Sequence, residues 1–436
     1  VNLCRLILAG AFIFSGFVKV VDPRGTQYKF EDYFEAFGVS AWIPEALPLL
    51  LAVLLAMTEF CLGIYLFFGI RRRFTSWLLL AFMSVFTPLT LYLALADPVS
   101  DCGCFGDAWL LSNWQTFGKN LVLLLAAVAV VRYRLLMTRF ISERNQWMIS
   151  MYSIFFAGVL AGYCLYHLPV LDFRPYRIGA DLRQAMEVPD GSEAPVFETT
   201  FLMEKDGVRK EFSLEDYPDS TWTFIDSKTV QLKTGTETAI RDFSLLLLPE
   251  HEDITEAVLA DKGYTFLLVA PYLETADDSR IDRINELYDY CTERQYPFYC
   301  LTASGDEAID RWRDLTGAEY PFCQADEITL KTVVRSSPGL LLLKDGVVVN
   351  KWGGSDLPSE YDLTGPLEEL PLARLQVDER LVQVFRLLLW FIIPLLLCTF
   401  ADRIWVGSKM YKRFKHKNRI LTRLKRKENE KENRSR

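Results

Sequence analysis

Histidine is nearly missing from this chain, with only His167, His251 and His416 among 436 residues. A haem or a multi-histidine metal centre needs more imidazoles than that, so no metal ligand is assigned. Cysteine is sparse too, and nine in a chain of this length do not make a disulfide-stapled scaffold. Outside the tail Lys409–Arg436 the chain is acidic, whereas the tail holds 13 basic and 3 acidic residues although the formal net charge of the whole chain is −8. A basic tail beside an apolar run reads as a topology signal and a contact with anionic membrane lipid, so no nucleic-acid function is expected.

What the chain has in abundance is apolar sequence, 50% of the residues, and it is clustered. Leu47–Ile70, Phe74–Leu95, Leu121–Val131 and Leu387–Cys398 are nearly free of charge, whereas Arg174–Arg380 has the composition of an ordinary soluble domain. Crossing a bilayer takes about 20 apolar residues in a helix, the one single-segment structure that satisfies its own backbone there. Six stretches qualify: Asn2–Val21, Ala46–Ile70, Phe74–Ala96, Phe117–Val131, Trp147–Leu168 and Leu381–Ile404. The first contains Lys19 and begins as a signal peptide would, but no small-x-small cleavage site follows it, so it is read as a span.

Arginines set the orientation. Arg71, Arg72 and Arg73 join spans two and three, and Arg132, Arg134, Arg139 and Arg144 join spans four and five, so both loops are expected on the cytoplasmic side. The basic tail, residues 406–436, falls on that side, and six crossings put the amino terminus there as well. Three regions are left outside: the loop Asp22–Glu45, the loop Asp97–Thr116 and a large domain over 172–380.

Within that domain Val188–Ser227 is rich in turns and short alternating strands. A clearer α/β pattern follows: a strand at Tyr264–Pro271, a helix near Ser279–Arg294, a strand at Pro297–Leu301, a helix at Asp306–Leu315, and a hairpin turning on Asp345-Gly346. This order, with the segment Val334–Gly346, resembles the thioredoxin-like fold in its peroxiredoxin-like branch, over about 240–357. In that family a proline before the hairpin has a cis peptide bond and faces the reactive cysteines, and Pro338 matches it. The family's cysteines follow the first central strand, where this chain reads Ala270-Pro-Tyr-Leu-Glu-Thr-Ala-Asp277. Ordinary thioredoxin catalysis is therefore not expected here, and Cys291, Cys300 and Cys323 read as buried hydrophobes or a structural pair.

The clearest chemical feature is Asp101-Cys102-Gly103-Cys104-Phe105-Gly106, at the outer end of span three. Thiols facing an oxidising compartment cycle or bond more readily than they stay inert. A ring closed over one intervening residue departs from relaxed disulfide geometry and is easily reduced, and Gly103 and Gly106 supply the backbone freedom for the turn. Together with Gly16-Phe-Val-Lys19-Val-Val-Asp22-Pro23 and Thr58-Glu59-Phe60, this motif resembles the four-helix MauE and DoxX membrane families, over about 1–135. The fold class expected is thus a membrane α-helical bundle: a four-helix DoxX/MauE-like core plus two further transmembrane helices (146–170 and 381–405), with an inserted extracytoplasmic α/β thioredoxin-like domain.

The resemblance implies redox chemistry coupled to the maturation of exported proteins in a bacterial inner membrane, with a periplasmic or membrane protein as partner. By analogy with quinone-linked disulfide-forming proteins, Cys102 and Cys104 would be an electron-passing dithiol and a membrane quinone the final acceptor, though no residue pattern marks a quinone site. For Glu59, a costly carboxylate inside a span, three roles are open: pairing with Lys19, handling protons or substrate, or facing water. Cys61 reads as a small apolar filler. Cys164, at about the depth of the cysteine pair, is a candidate resolving thiol without motif support, and Gly158 and Gly162 permit close helix packing. Two other classes stay open beside the redox protein: a non-enzymatic scaffold or assembly factor whose degenerate thioredoxin-like domain binds a periplasmic partner, and a small-molecule transporter, for which no inverted repeat is evident.

Overall fold

In the computed structural model the described residues are 1–99, 102–187, 196–205, 208–213, 223–233, 238–240, 243–375 and 380–435. They form two units, 1–173 with 379–436, and 174–378.

The first unit is helical: α1 (Asn2–Val21), α2 (Pro23–Ala36), α3 (Ala46–Phe68), α4 (Arg72–Ala96), α5 (Asn113–Arg132), α6 (Gln146–Tyr166) and, from the other end of the chain, α12 (Arg380–Ser435). Six of its helices are long and apolar enough to cross a membrane, and this is a membrane protein. Local chemistry sets their ends. Gly69 takes the left-handed conformation (φ +70°) that stops α3, and Ser112 with Gln115 forms a capping box that starts α5. That box moves the start of the fourth span from the expected Phe117 back to Asn113. The expected loop Asp22–Glu45 instead contains α2, whose first turn has Pro23 at N1 and the Asp22 carboxylate accepting from the Gly25 N–H. The helix of the expected sixth span does not stop at Ile404, because α12 continues through the basic tail.

Helices α1 and α3 cross closely because two glycines face the partner backbone. A Cβ on Gly16 would lie 2.2 Å from the Phe60 nitrogen, and one on Gly63 would lie 2.7 Å from the Ile13 nitrogen. Gly158 and Gly162, by contrast, make no such close approach: the first meets a Met57 methyl at 3.6 Å and the second meets open space. Gly16→Ala is accordingly expected to destabilise the bundle by about 1–3 kcal/mol, outweighing the ~1 kcal/mol that alanine gains in a helix interior. A thermal midpoint at or above wild type in detergent would refute this. On the α6 side, the Asp402 carboxylate of α12 accepts from the Ser142 N–H (2.9 Å), the Ser142 hydroxyl and Asn145 Nδ2 (2.7 Å), while Arg403 donates to the Phe140 carbonyl (3.0 Å). These bonds dock α12 on the loop before α6.

In the second unit α7 (Leu182–Met186) precedes β1 (Val196–Lys205), β2 (Val208–Ser213) and β3 (Thr223–Lys233), a three-stranded antiparallel sheet in the order β2-β1-β3. These long strands occupy part of the expected turn-rich segment Val188–Ser227, whose residues 188–195 lie outside the described ones. Then come β4 (Leu246–Leu247), β5 (Glu252–Asp253), α8 (Thr255–Leu259), β6 (Tyr264–Val269), α9 (Ile281–Arg294), β7 (Phe298–Thr302), α10 (Asp306–Thr316), β8 (Phe322–Gln324), α11 (Glu327–Val333), β9 (Gly339–Lys344) and β10 (Val347–Gly353). The second sheet has the order β10-β9-β6-β7-β8-β4-β5, with β6, β7 and β8 parallel and β9 antiparallel to β6. Strand β6 is buried on both faces, which is why it reads as an uninterrupted apolar run. One face packs Phe266 and Leu268 against Ile284 and Leu287 of α9 and Ile309 and Trp312 of α10.

The β9–β10 hairpin turns on Asp345 and Gly346, both at positive φ, as a two-residue turn requires. The Ser337–Pro338 bond just before β9 is cis. This sheet and helix arrangement resembles the thioredoxin-like fold. Cys291, Cys300 and Cys323 are free and fully buried, and burial pushes all three thiols up, Cys323 to about 12, so they are inert fillers and not a bonded pair.

Candidate functional site

The loop between α4 and α5 carries Cys102 and Cys104, whose sulfurs lie 3.0 Å apart. An S–S bond needs about 2.05 Å, so closure asks for a movement of ~1 Å. Gly103 (φ +61°) and Gly106 (φ +52°) hold the left-handed conformations that fold the loop back on itself. A side chain at Gly103 would also press on the Lys29 stem of α2.

The close α1–α3 crossing explains what holds this loop. It brings Ser15 and Lys19 of α1 against Glu59 of α3, with Lys19 Nζ 2.8 Å from Glu59 Oε2 and both side chains buried. Lys19 Nζ also donates to Ser15 Oγ (2.7 Å) and to the Cys104 carbonyl (2.6 Å). Ser15 Oγ has a single proton to give, either to Glu59 (2.7 Å) or to that same carbonyl (2.6 Å). Tyr33 of α2 donates to the Cys102 carbonyl (2.8 Å). The pattern Gly16, Lys19, Asp22, Pro23 thereby acquires a physical reading. Gly16 lets the helices touch, Lys19 anchors the loop, and Asp22-Pro23 starts the helix that carries Tyr33. Of the roles open for Glu59, the structure gives it the ion pair with Lys19.

The two thiols are unequal. The hydrogen bond from Cys102 is the main cause that lowers Cys104 from 9.0 to about 6; burial and Glu59 oppose it, and the Lys119 and Lys19 ammonium groups assist. Cys102 moves up, first because its thiol hydrogen-bonds Cys104, then because of burial and the Cys104 charge. The pair thus shares one hydrogen bond between its sulfurs, and the two lysine ammonium groups favour a charge on Cys104. Lys119 of α5, not foreseen from the sequence, sits 4.0 Å over the Phe105 ring. A cation in the first two turns of an otherwise apolar span was its available signal. Cys164 is not brought to the pair; it is buried in an apolar cluster with Val20, Val21 and Phe60. Cys61 is buried in α3 as a filler.

This geometry lies wholly within one recognisable segment. Residues 1–132 match the family model of Methylamine utilisation protein MauE. The MauE match spans α1 to α5, and so includes both cysteines, the Lys19–Glu59 pair and Lys119. Residues 197–234 match a domain of unknown function, DUF8463. No curated protein matches the chain. Among solved structures a match is the "Solution structure of a putative protein disulfide isomerase from Bacteroides thetaiotaomicron", 14% identical, covering 26% of this chain and 76% of that one at a TM-score of 0.22.

Proposed function

We propose that this is a bacterial inner-membrane thiol–disulfide redox protein whose Cys102 and Cys104 pass electrons during the maturation of exported proteins. The observation that carries this reading is the paired sulfurs, 3.0 Å apart, on a loop anchored by a buried ion pair. Anchoring fixes the loop backbone while both cysteine residues stay partly exposed, which suits a pair that must open and close repeatedly. On this reading the chain crosses the membrane six times with both termini in the cytoplasm. The domain over 172–380 lies in the periplasm, where its cysteine-free Ala270–Asp277 segment leaves it to hold a protein partner and not to exchange electrons. The helical unit contacts membrane lipid, and the partner is a periplasmic or membrane protein.

Mass-shift alkylation of isolated membranes tests this. Cys102 and Cys104 are expected to be oxidised as a pair in part, to take up two further tags when alkylated after treatment with a dithiol, and to escape tagging again when the dithiol is removed and the membranes reoxidise before alkylation. Thiols that remain taggable under every condition would sink the redox reading. They would favour a scaffold, for which removal of 172–380 abolishes partner capture while the cysteines never change state.

A further inference from the structure

Several hydroxyls inside the spans turn back on their own helix: Ser76 donates to the Arg72 carbonyl, Ser153 to that of Ile149 and Thr399 to that of Leu395. Between α4 and α5 this habit fails. Thr87 Oγ1, Thr116 Oγ1 and Asn113 Oδ1 are buried and meet no hydrogen-bond partner among the described residues, and the three residues are only 5%, 1% and 6% exposed. The orientation of the Asn113 amide is fixed, because its Nδ2 donates to Asp97 Oδ1 (2.8 Å) and to the Val99 carbonyl (2.9 Å), which leaves Oδ1 as the open acceptor. A buried polar atom with nothing to bond is costly, above all inside a span, and ordered water is the partner that such atoms take up in folded proteins.

These atoms belong to one seam. Asn120 donates to Thr90 (3.2 Å) and Thr90 to the Thr87 carbonyl (3.0 Å), which together with the Asn113–Asp97 bond sets the antiparallel register of the two helices. Followed inward from the loop, Asp97 meets Asn113, Thr116 comes next on α5, Thr90 meets Asn120, and Thr87 is last. The path from Asp97 to Thr87 is about 15 Å at ~1.5 Å per residue, half of a ~30 Å hydrocarbon core. Farther along the same faces stand Leu79, Met83, Leu123 and Ala127, all buried and apolar, so the polar seam stops midway. Asn120 is shared with a cavity of about 40 Å³ that Ser15, Glu59, Lys119 and Cys104 also line. One ordered water needs ~10–15 Å³ and a few polar partners, so the cavity suits water and excludes a ring-sized guest.

We propose that this seam is a hydrated half-channel, a file of ordered waters that enters beside Asp97 and Asn113, bonds Asn113 Oδ1, Thr116 and Thr87 in turn, and reaches the cavity lined by Cys104. Its apolar floor makes it a dead end. It therefore brings water to the cysteine site from within the bundle and offers no path across the membrane. The inference stands on the unpartnered atoms and their register, and it holds whether or not the cysteine pair cycles.

The test is X-ray radiolysis of the full chain in lipid nanodiscs equilibrated with water enriched in heavy oxygen, which labels buried side chains that adjoin ordered water. Met83 lines the cavity and Met137 does not, yet each is 2% exposed, so burial alone predicts equal labelling. Met83 is expected to take up label at least about fivefold faster than Met137. Thr87→Val and Thr116→Val keep the side-chain shape and remove the hydroxyls; combined, they are expected to bring Met83 down to the rate of Met137 and to lower the thermal midpoint, because the waters lose partners. Thr116→Ser keeps the hydroxyl and is expected to keep the labelling. A dry seam predicts the reverse, with Met83 labelled no faster than Met137 and the valine variants melting at or above wild type, since each then removes a hydroxyl that bonded nothing. Either of those results overturns the half-channel. The comparison of Met83 with Met137 in the wild type decides the matter by itself should a valine variant fail to fold.

Discussion

Glu59→Leu is expected to destabilise the helical unit by about 3–5 kcal/mol, and adding Lys19→Met to recover most of that loss. The single change strands the Lys19 ammonium in a site where both partners are buried, with only Ser15 and the Cys104 carbonyl left to it. Removing both charges takes away the desolvation penalty together with the attraction, so an apolar pair of similar volume restores the packing. The thermal midpoint of the detergent-solubilised protein is the measurement. A double variant no better than Glu59→Leu would mean that the pair contributes through its hydrogen bonds to the loop and not through charge neutralisation. The double variant also separates fold from chemistry, since it keeps the bundle while releasing the Cys104 carbonyl from Lys19.

The second large effect concerns Cys104. Its alkylation rate is expected to rise with pH through an inflection below that of an ordinary thiol. Because a more acidic thiolate is also a weaker nucleophile, the position of the inflection, and not the absolute rate, is the quantity to read. The sign follows from the causes. Cys102→Ala removes the hydrogen bond that most lowers Cys104, so the inflection should move up by more than one unit toward the ordinary thiol value; Lys119→Met removes a nearby cation and should move it in the same direction by less. Measured by mass spectrometry on Cys104 alone, an inflection above 8 in wild type would remove the basis for calling it the reactive sulfur.

The parts of this molecule that could be read from its sequence are those encoded within one segment. The spans are legible because each is a long apolar run, and the β9–β10 hairpin because Asp345-Gly346 permits positive φ at both positions. The cysteine pair announced itself by spacing. Lys19 and Glu59 were half legible: each is costly in a span, and the simplest resolution is that they meet. Helix α2 was missed because Arg24, Lys29, Glu31, Asp32 and Glu35 look like a solvated loop, although Asp22-Pro23 is a helix start written plainly. Ser112 and Gln115 likewise marked the true start of α5. The α1–α3 crossing depends on Gly63 finding Ile13, and the loop's anchor on Lys19 of α1 meeting the Cys104 carbonyl. Such long-range meetings leave no periodic trace in any one stretch of chain.

Lys19 carries three hydrogens, and all three are engaged: one on Glu59, one on Ser15 and one on the Cys104 carbonyl. It therefore has none in reserve for a passing thiolate or ligand, and it acts on Cys104 only through its field. Lys19, in the last turn of α1, therefore ties three parts of the site to one cation, so α1, α3 and the loop that carries Cys104 cannot shift independently of one another.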